Sequence, residues 1–470
     1  MRRVLLWLIG ILLAVLGVVT GVLVCFHVPQ NASGMAAKGV CSAAFVAGRP
    51  LTDDLMAQDV APASGMHRAI STRVDESDRT VTAKFLGLFP RTAALVTDRG
   101  CVLDLAADPE SVAHQPATDK RAWPQGETTV PKRRWGDEVE AGALERAVDA
   151  ALVGAGDPAA ANARGVAVVH EGRLLILEET PGFARGTALH GWSMAKTVTA
   201  MLTHKVAAEK GIDLDAAVID SFPKGREPAW VDAWRTDERS HIRISDLLYM
   251  RDGLDNTEDY QPWGSVPQML YGEPDMAAWA AEHPAEERAG SRWRYLSATT
   301  NILSAVVRAQ FPTDAEYWRY ADEALFEPIG ATSATLETDT SGTWVGAAYL
   351  WASLSDWARL GQLMLQDGTW EGKPVLPPGW LDLASTPAMR SGEGRDFGAH
   401  TWRLGDPEAG HCRANPEVPE DTLAMVGRWG QIVAMVPSRD AVVVRLGWTI
   451  EPGQFDDCGF LGDVLAALPK

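Results

Sequence analysis

The sequence predicts an α+β fold, an α/β sandwich in which one antiparallel sheet carries helices on its faces and a mainly helical subdomain is inserted midway. Three observations predict it. Residues 165–170 and 173–179 are β-rich runs joined by Glu171-Gly172, which reads as a hairpin. Residues 423–426, 432–436 and 441–446 are three further strand candidates, with Pro437-Ser438-Arg439-Asp440 as the turn between the last two. Between these groups, residues 254–420 are rich in Trp, Gly and Pro and read as helix and loop. Strand hairpin, helical middle, strand hairpin and final helix is the order of a sheet assembled from both ends of a domain.

Taken in chain order, the first element is an uncharged apolar run, residues 4–26, in which Thr20 is the only polar side chain. It is long enough to span a hydrocarbon core. A cleaved signal peptide is the competing reading, but the run exceeds a normal signal core and no A-x-A site closes it. An uncleaved anchor is therefore expected, with Arg2 and Arg3 cytoplasmic and the rest of the chain exported. Residues 28–140 read as an N-terminal extension, and the polar, Pro-containing stretch 109–137 as a linker or a wrap over the next domain. Residues 137–153 are amphipathic and predict a helix. Met194, Val198, Met201, Leu202 and Val206 form a helical stripe closed by Gly211. A short helix begins at Ile244, with Ser245 as its expected N-cap and an end near Gly253. Residues 460–468 predict the last helix.

Composition narrows the functions. The 470 residues, 46% hydrophobic and 22% charged, are those of a globular protein with a substantial core. A formal net charge of −19 excludes nucleic acid as a partner, because a phosphate backbone needs a basic footprint. Apart from Cys25, the cysteines are Cys41, Cys101, Cys412 and Cys458, an even number that suits an oxidising compartment. Three pairings are open to them, as is the alternative of buried free thiols. Cys41–Cys101 and Cys412–Cys458 is the pairing expected. No metal site is expected, since no C-x-x-C or H-x-x-x-H spacing occurs.

The chemistry starts at Ser193-Met194-Ala195-Lys196. At i and i+3 the hydroxyl and the amine share one helical face. A serine is a poor nucleophile until a base removes its proton, and a lysine does so only when burial or a neighbouring cation keeps it neutral. Arg294-Tyr295-Leu296-Ser297 follows about a hundred residues later, and a tyrosine beside the nucleophile can relay a proton to the leaving group. A nearby lysine would favour its phenolate. Gly427-Arg428-Trp429-Gly430-Gln431 opens a strand whose N–H groups can form half of an oxyanion hole. Trp192, Trp293 and Trp429 flank these motifs, either as walls of an apolar acyl pocket or simply as packing. Tyr260, in the loop after Gly253, could hydrogen-bond substrate.

These motifs, in this order, resemble the S-x-x-K, Y-x-N and K-T-G elements of the serine β-lactamase and penicillin-binding-protein superfamily. The class C β-lactamase-like branch, with its esterases and 6-aminohexanoate-dimer hydrolases, is closer still. Residues 244–254, 355–361 and 376–380 also resemble segments of that branch. The likeness extends over roughly residues 140–470. Together with the apolar run, it divides the chain into 1–27 (anchor or signal), 28–140 (extension and linker) and 141–470 (hydrolase). It further implies Ser193 as acylated nucleophile, Lys196 as its proton acceptor and Tyr295 as the second acid/base. The N–H groups of Ser193 and Gln431 would form the oxyanion hole, with Ser297, Arg428, Gly430 and Tyr260 near substrate. Ser297 replaces the asparagine of Y-x-N, and Arg428 stands where K-T-G has lysine. Both departures disfavour β-lactam hydrolysis and leave acyl transfer on a small amide or ester intact.

The resulting expectation is a bacterial inner-membrane protein, anchored through its N-terminal helix, whose periplasmic serine hydrolase domain needs no cofactor. Three alternatives compete with it. One is a penicillin-interactive D,D-peptidase or peptidoglycan amidohydrolase. Another is a Ser-His-Asp hydrolase using His241, His283, His400 or His411. The third is a catalytically silent protein that binds cell-wall fragments.

Overall fold

A computed structural model describes residues 7, 21, 27–52, 67–106, 108, 110–154 and 156–470. Helix α1 (Val28–Cys41) runs on into a π-helical turn, Ser42–Val46. It lies across a four-stranded antiparallel meander of Ile70–Asp75 (β1), Thr80–Phe85 (β2), Leu88–Val96 (β3) and Gly100–Leu103 (β4). Ala36, Ala37 and Val40 of the helix share a core with Val81, Ala83, Ala93 and Leu95 of the sheet. The sequence alone reads this region only as an extension. The strand interiors are rich in alanine and threonine, whose weak hydrophobicity blunts the period-two signal. Cys41–Cys101 staples the end of α1 to β4, and Cys412–Cys458 closes a second loop, so both expected pairs form.

Residues 110–137 are largely irregular and wrap the next domain. The Arg359 guanidinium donates to the carbonyls of Pro124 and Gly126, and the Ser355 hydroxyl donates to Glu127. Helix α2 (Ala141–Val153) then leads into β5 (Ala163–His170) and β6 (Arg173–Glu179). The predicted turn between them has positive φ at both Glu171 and Gly172, as a two-residue hairpin requires. A short strand, β7 (Leu189–His190), precedes α3 (Met194–Lys210), which ends on Gly211 in the left-handed region. Next come α4 (Ile244–Leu248), α5 (Ser297–Arg308), β8 (Thr335–Leu336), β9 (Leu350–Ala352) and α6 (Leu354–Leu365). The chain closes with β10 (Trp402–Arg403), β11 (Leu423–Gly427), β12 (Gln431–Val436), β13 (Ala441–Gly447) and α7 (Asp457–Ala466).

The main sheet is antiparallel throughout, in the order β10-β11-β12-β13-β5-β6, so β13 and β5 join the two ends of the domain as the sequence predicts. Its strands read as nearly continuous apolar runs because helices cover both faces. Val166, Val168 and Val443 point to the α2/α7 side, whereas Ala167, Val169, Val442 and Val444 point to the side of α3 and α6. A separate three-stranded sheet, β7-β9-β8, sits at the foot of α3.

Two expectations are corrected. Helix α4 stops at Leu248, five residues short of Gly253, because Met250 takes a positive φ and turns the chain. Its N-cap is Arg243, not Ser245. Asp246 accepts from the Arg243 N–H, which leaves the Ser245 hydroxyl to donate to Asp215. The anchor expected at residues 4–26 lies outside the described residues except at Trp7 and Gly21. Among the described residues, no helix is long and apolar enough to cross a membrane.

Candidate active site

Ser193 is the N-cap of α3, yet its hydroxyl makes no capping bond and remains available for chemistry. The whole predicted stripe behind it (Met194, Val198, Met201, Leu202 and Val206) is buried and anchors the helix against the sheet. Trp192, immediately before Ser193, has φ 49°. So bulky a residue is rarely left-handed and persists there only when its surroundings hold it. The holding contacts are aromatic. The Trp192 ring lies 4.2 Å from His190, 5.5 Å from Trp448 and 5.2 Å, edge-on, from Trp429.

Lys196 is 1% exposed, and all of its donors are engaged. Nζ lies in hydrogen-bond contact with Ser193 Oγ at 3.1 Å, and donates to Ser297 Oγ at 3.0 Å and to the Ala347 carbonyl at 2.8 Å. It forms no ion pair among the described residues. Burial pulls its pKa down to about 8, against the opposing pull of the Glu258 charge. Burial thus brings the neutral amine, the form the sequence argument required, within reach near pH 8.

Tyr295 completes the cluster. Its ring lies under the lysine, 5.0 Å from Nζ, and stacks on Trp402 at 5.4 Å. Burial pushes its phenol well above the ordinary tyrosine range, and the hydrogen bond it shares with Ser193 only partly offsets this. The expected phenolate is therefore corrected to a phenol, because desolvation of the anion outweighs the help of a lysine that is itself largely desolvated.

Ser297 opens α5, and its hydroxyl lies between two charged groups. It accepts from Lys196 and donates to Glu258 Oε1 at 2.7 Å, while its backbone N–H donates to Glu258 Oε2 at 2.7 Å. The Tyr260 hydroxyl also donates to Glu258 Oε1, at 2.7 Å. The Arg428 guanidinium lies 3.9 Å from the centre of the Tyr260 ring and pairs with no carboxylate among the described residues. Tyr260 and Arg428 thus form one cation–π unit beside the cluster. Glu258 escaped sequence reasoning, although it stands two residues from Tyr260 in a loop already singled out.

Gln431 begins β12, opposite Gly427 in the ladder, and its side chain is wholly buried. Gly427, at the end of β11, is the strand residue that meets the nucleophile's segment, and a Cβ there would lie 2.3 Å from the Gly191 carbonyl oxygen. Among the described residues, neither the Ser193 nor the Arg428 backbone N–H is engaged in a hydrogen bond. Gly430, with φ 77°, serves the turn between the two strands.

The three tryptophans fall into two groups. Trp192 and Trp429 pack with Trp448 on one side, while Trp293 lies 5.4 Å from Phe397 and 6.2 Å from Trp402 on the other. Among the described residues, no histidine is hydrogen-bonded to Ser193, as the histidine alternative would need. His400 is buried, bonded to the Leu248 carbonyl and to Thr300, and burial holds its pKa down to about 3. His283 bonds the Trp279 carbonyl, and His411 lies beside Asp457.

A sequence model of the Beta-lactamase family matches residues 139–450 of this chain. No curated protein matches. Among solved structures, a Bacillus anthracis protein described as a 6-aminohexanoate-dimer hydrolase superposes with TM-score 0.51 and 18% identity, covering 65% of this chain and 78% of its own. EstCE1, a hydrolase with promiscuous acyltransferase activity, gives TM-score 0.54 and 16% identity over 70% of this chain and 98% of its own. A family VIII carboxylesterase gives 0.53 and 13%, over 73% and 99%. At such identities the likeness carries the fold.

Proposed function

We propose that this chain, which belongs to the beta-lactamase family and is a serine hydrolase, opens a small amide or ester through an acyl-enzyme on Ser193. Lys196, whose pKa burial lowers to about 8, takes the Ser193 proton in its neutral form as Oγ attacks the carbonyl. The tetrahedral oxyanion is received by the free N–H groups of Ser193 and Arg428, in place of the Gln431 N–H. Tyr295, a phenol at neutral pH, delivers a proton to the leaving group and is reprotonated through Lys196. Water then repeats the sequence on the acyl-enzyme. Trp192 and Trp429 wall the acyl side of the cleft, and the Tyr260–Arg428 unit contacts the substrate at the cleft edge.

The observation that carries this reading is the buried Lys196 amine touching Ser193 Oγ without a carboxylate partner. The test is mass spectrometry after reaction with a fluorophosphonate, where an adduct on any residue but Ser193 would reject it. Labelling by fluorescent penicillin would favour the D,D-peptidase alternative.

The same proposal places the domain outside the cytoplasm of a bacterium, tethered to the inner membrane by residues 4–26. Two disulfides support an oxidising compartment. Resistance of the full chain to alkaline carbonate extraction, together with periplasmic reporter activity, is the expected result. Release into the soluble fraction would remove the anchor from the proposal.

A further inference from the structure

Ser297 and Glu258 decide something that the three catalytic groups leave open, namely which way the Lys196 lone pair points. A neutral amine has two hydrogens and one lone pair. Only an amine whose lone pair faces Ser193 Oγ can take its proton. Of the three groups around Nζ, the Ala347 carbonyl can only accept, so it always holds one hydrogen. Ser193 and Ser297 are hydroxyls, and a hydroxyl can either donate or accept. If Ser297 donated to Lys196, it would occupy the lone pair and leave a hydrogen pointing at the nucleophile.

Glu258 removes that option. As a carboxylate it has no hydrogen to give, so every contact it makes must be accepted. It receives the Ser297 N–H, the Ser297 O–H and the Tyr260 O–H, each at 2.7 Å. The single Ser297 hydroxyl proton is thereby committed to Glu258, and toward Lys196 its oxygen can only accept. The second lysine hydrogen goes there, at 3.0 Å, and the lone pair is left for Ser193. Ser297 is 3% exposed, so water does not compete for these positions.

We propose that Glu258 is a positioning residue of this site, holding the Ser297 hydroxyl as an acceptor and so aiming the Lys196 lone pair at Ser193. The inference rests on the acyl-enzyme reading above and extends it to a residue that acts through Ser297. A plainer role exists, because Glu258 also accepts the first N–H of α5 and could serve only as a remote helix cap. The groups facing Lys196 are Glu258, Tyr295 and His400, so the change of charge at Glu258 is read against a phenol and a neutral imidazole.

A double-mutant cycle on the full-length enzyme separates these roles, with p-nitrophenyl acetate as substrate. Glu258→Gln keeps the shape but supplies an amide N–H₂ that can reverse the Ser297 hydroxyl. It is expected to lower kcat about tenfold with KM little changed, as for the loss of aim on a catalytic base. In a Ser297→Ala background there is no hydroxyl to reverse, so the same substitution should cost less than about twofold. The acid limb of kcat/KM should also move about one pH unit lower in Glu258→Gln, since a negative charge near the amine is gone. Losses that simply multiply across the cycle, or an acid limb that stays in place, would overturn the proposal and leave the helix cap. If wild-type hydrolysis survives Ser193→Ala, the acyl-enzyme reading itself fails and this inference falls with it.

Discussion

The Lys196 amine reaches the Ser193 hydroxyl at 3.1 Å because both leave the same face of the first turn of α3, where burial has stripped the amine of water. Spacing brings the two together, and desolvation makes the contact productive. Neither alone would activate the serine.

Activity should therefore follow the protonation of Lys196. Below its pKa of about 8 the amine carries a proton and cannot accept another, so kcat/KM should fall with decreasing pH through about 8, with a slope of one. Lys196→Arg keeps a cation but never a free base, and should lose on the order of a thousandfold at every pH. A flat pH–rate profile for hydrolysis of p-nitrophenyl acetate would contradict this role.

Tyr295→Phe removes the phenol while leaving the ring stacked on Trp402. An amide leaving group must be protonated to depart, whereas p-nitrophenolate leaves without help. Anilide hydrolysis should then fall by about 10² to 10⁴, with p-nitrophenyl esters affected far less. Equal losses on both substrates would remove Tyr295 from leaving-group protonation.

Gly427→Ala would place a methyl carbon 2.3 Å from the Gly191 carbonyl oxygen. Backbone lies on both sides, so β11 or the Ser193 segment must move. With the oxyanion N–H groups set at that junction, a displacement of about 1 Å is expected to cost about a hundredfold in kcat. Undiminished kcat would show that β11 can shift without disturbing the nucleophile.

Glu337→Gln tests how the N-terminal unit is held. Glu337 accepts from Ser42, the Cys101 N–H and Trp351, and pairs with Lys38 at 3.3 Å, both side chains being buried. Removing its charge takes away the one carboxylate in contact with the Lys38 ammonium among the described residues, leaving only the more distant Asp339, at an expected loss of about 3–5 kcal/mol in urea unfolding. A loss under about 1 kcal/mol would mean that Lys38 finds another partner.

Much of this protein is legible one residue at a time. The hairpin at Glu171-Gly172, the α3 stripe ending on Gly211 and the C-terminal strands follow from turn chemistry and periodicity, whereas the even cysteine count left three pairings open and the fold chose among them. The N-terminal meander was not legible, because alanine and threonine carry little hydrophobic alternation. The α4 stop was missed because a left-handed Met250 has no sequence signature.

At the site, the residues 193, 196, 295 and 297 could be read from local spacing and resemblance, since each motif is a short contiguous stretch. Three things came only from the tertiary structure. Glu258 meets Ser297 across the fold, Gly427 meets the Gly191 carbonyl, and burial pushes the Tyr295 phenol above its ordinary range. Each depends on which atoms approach across long separations and on how much water they lose there. Sequence order sets what a chain can offer to a cleft, whereas proximity and desolvation, which arise only when the core closes, decide which of those groups react.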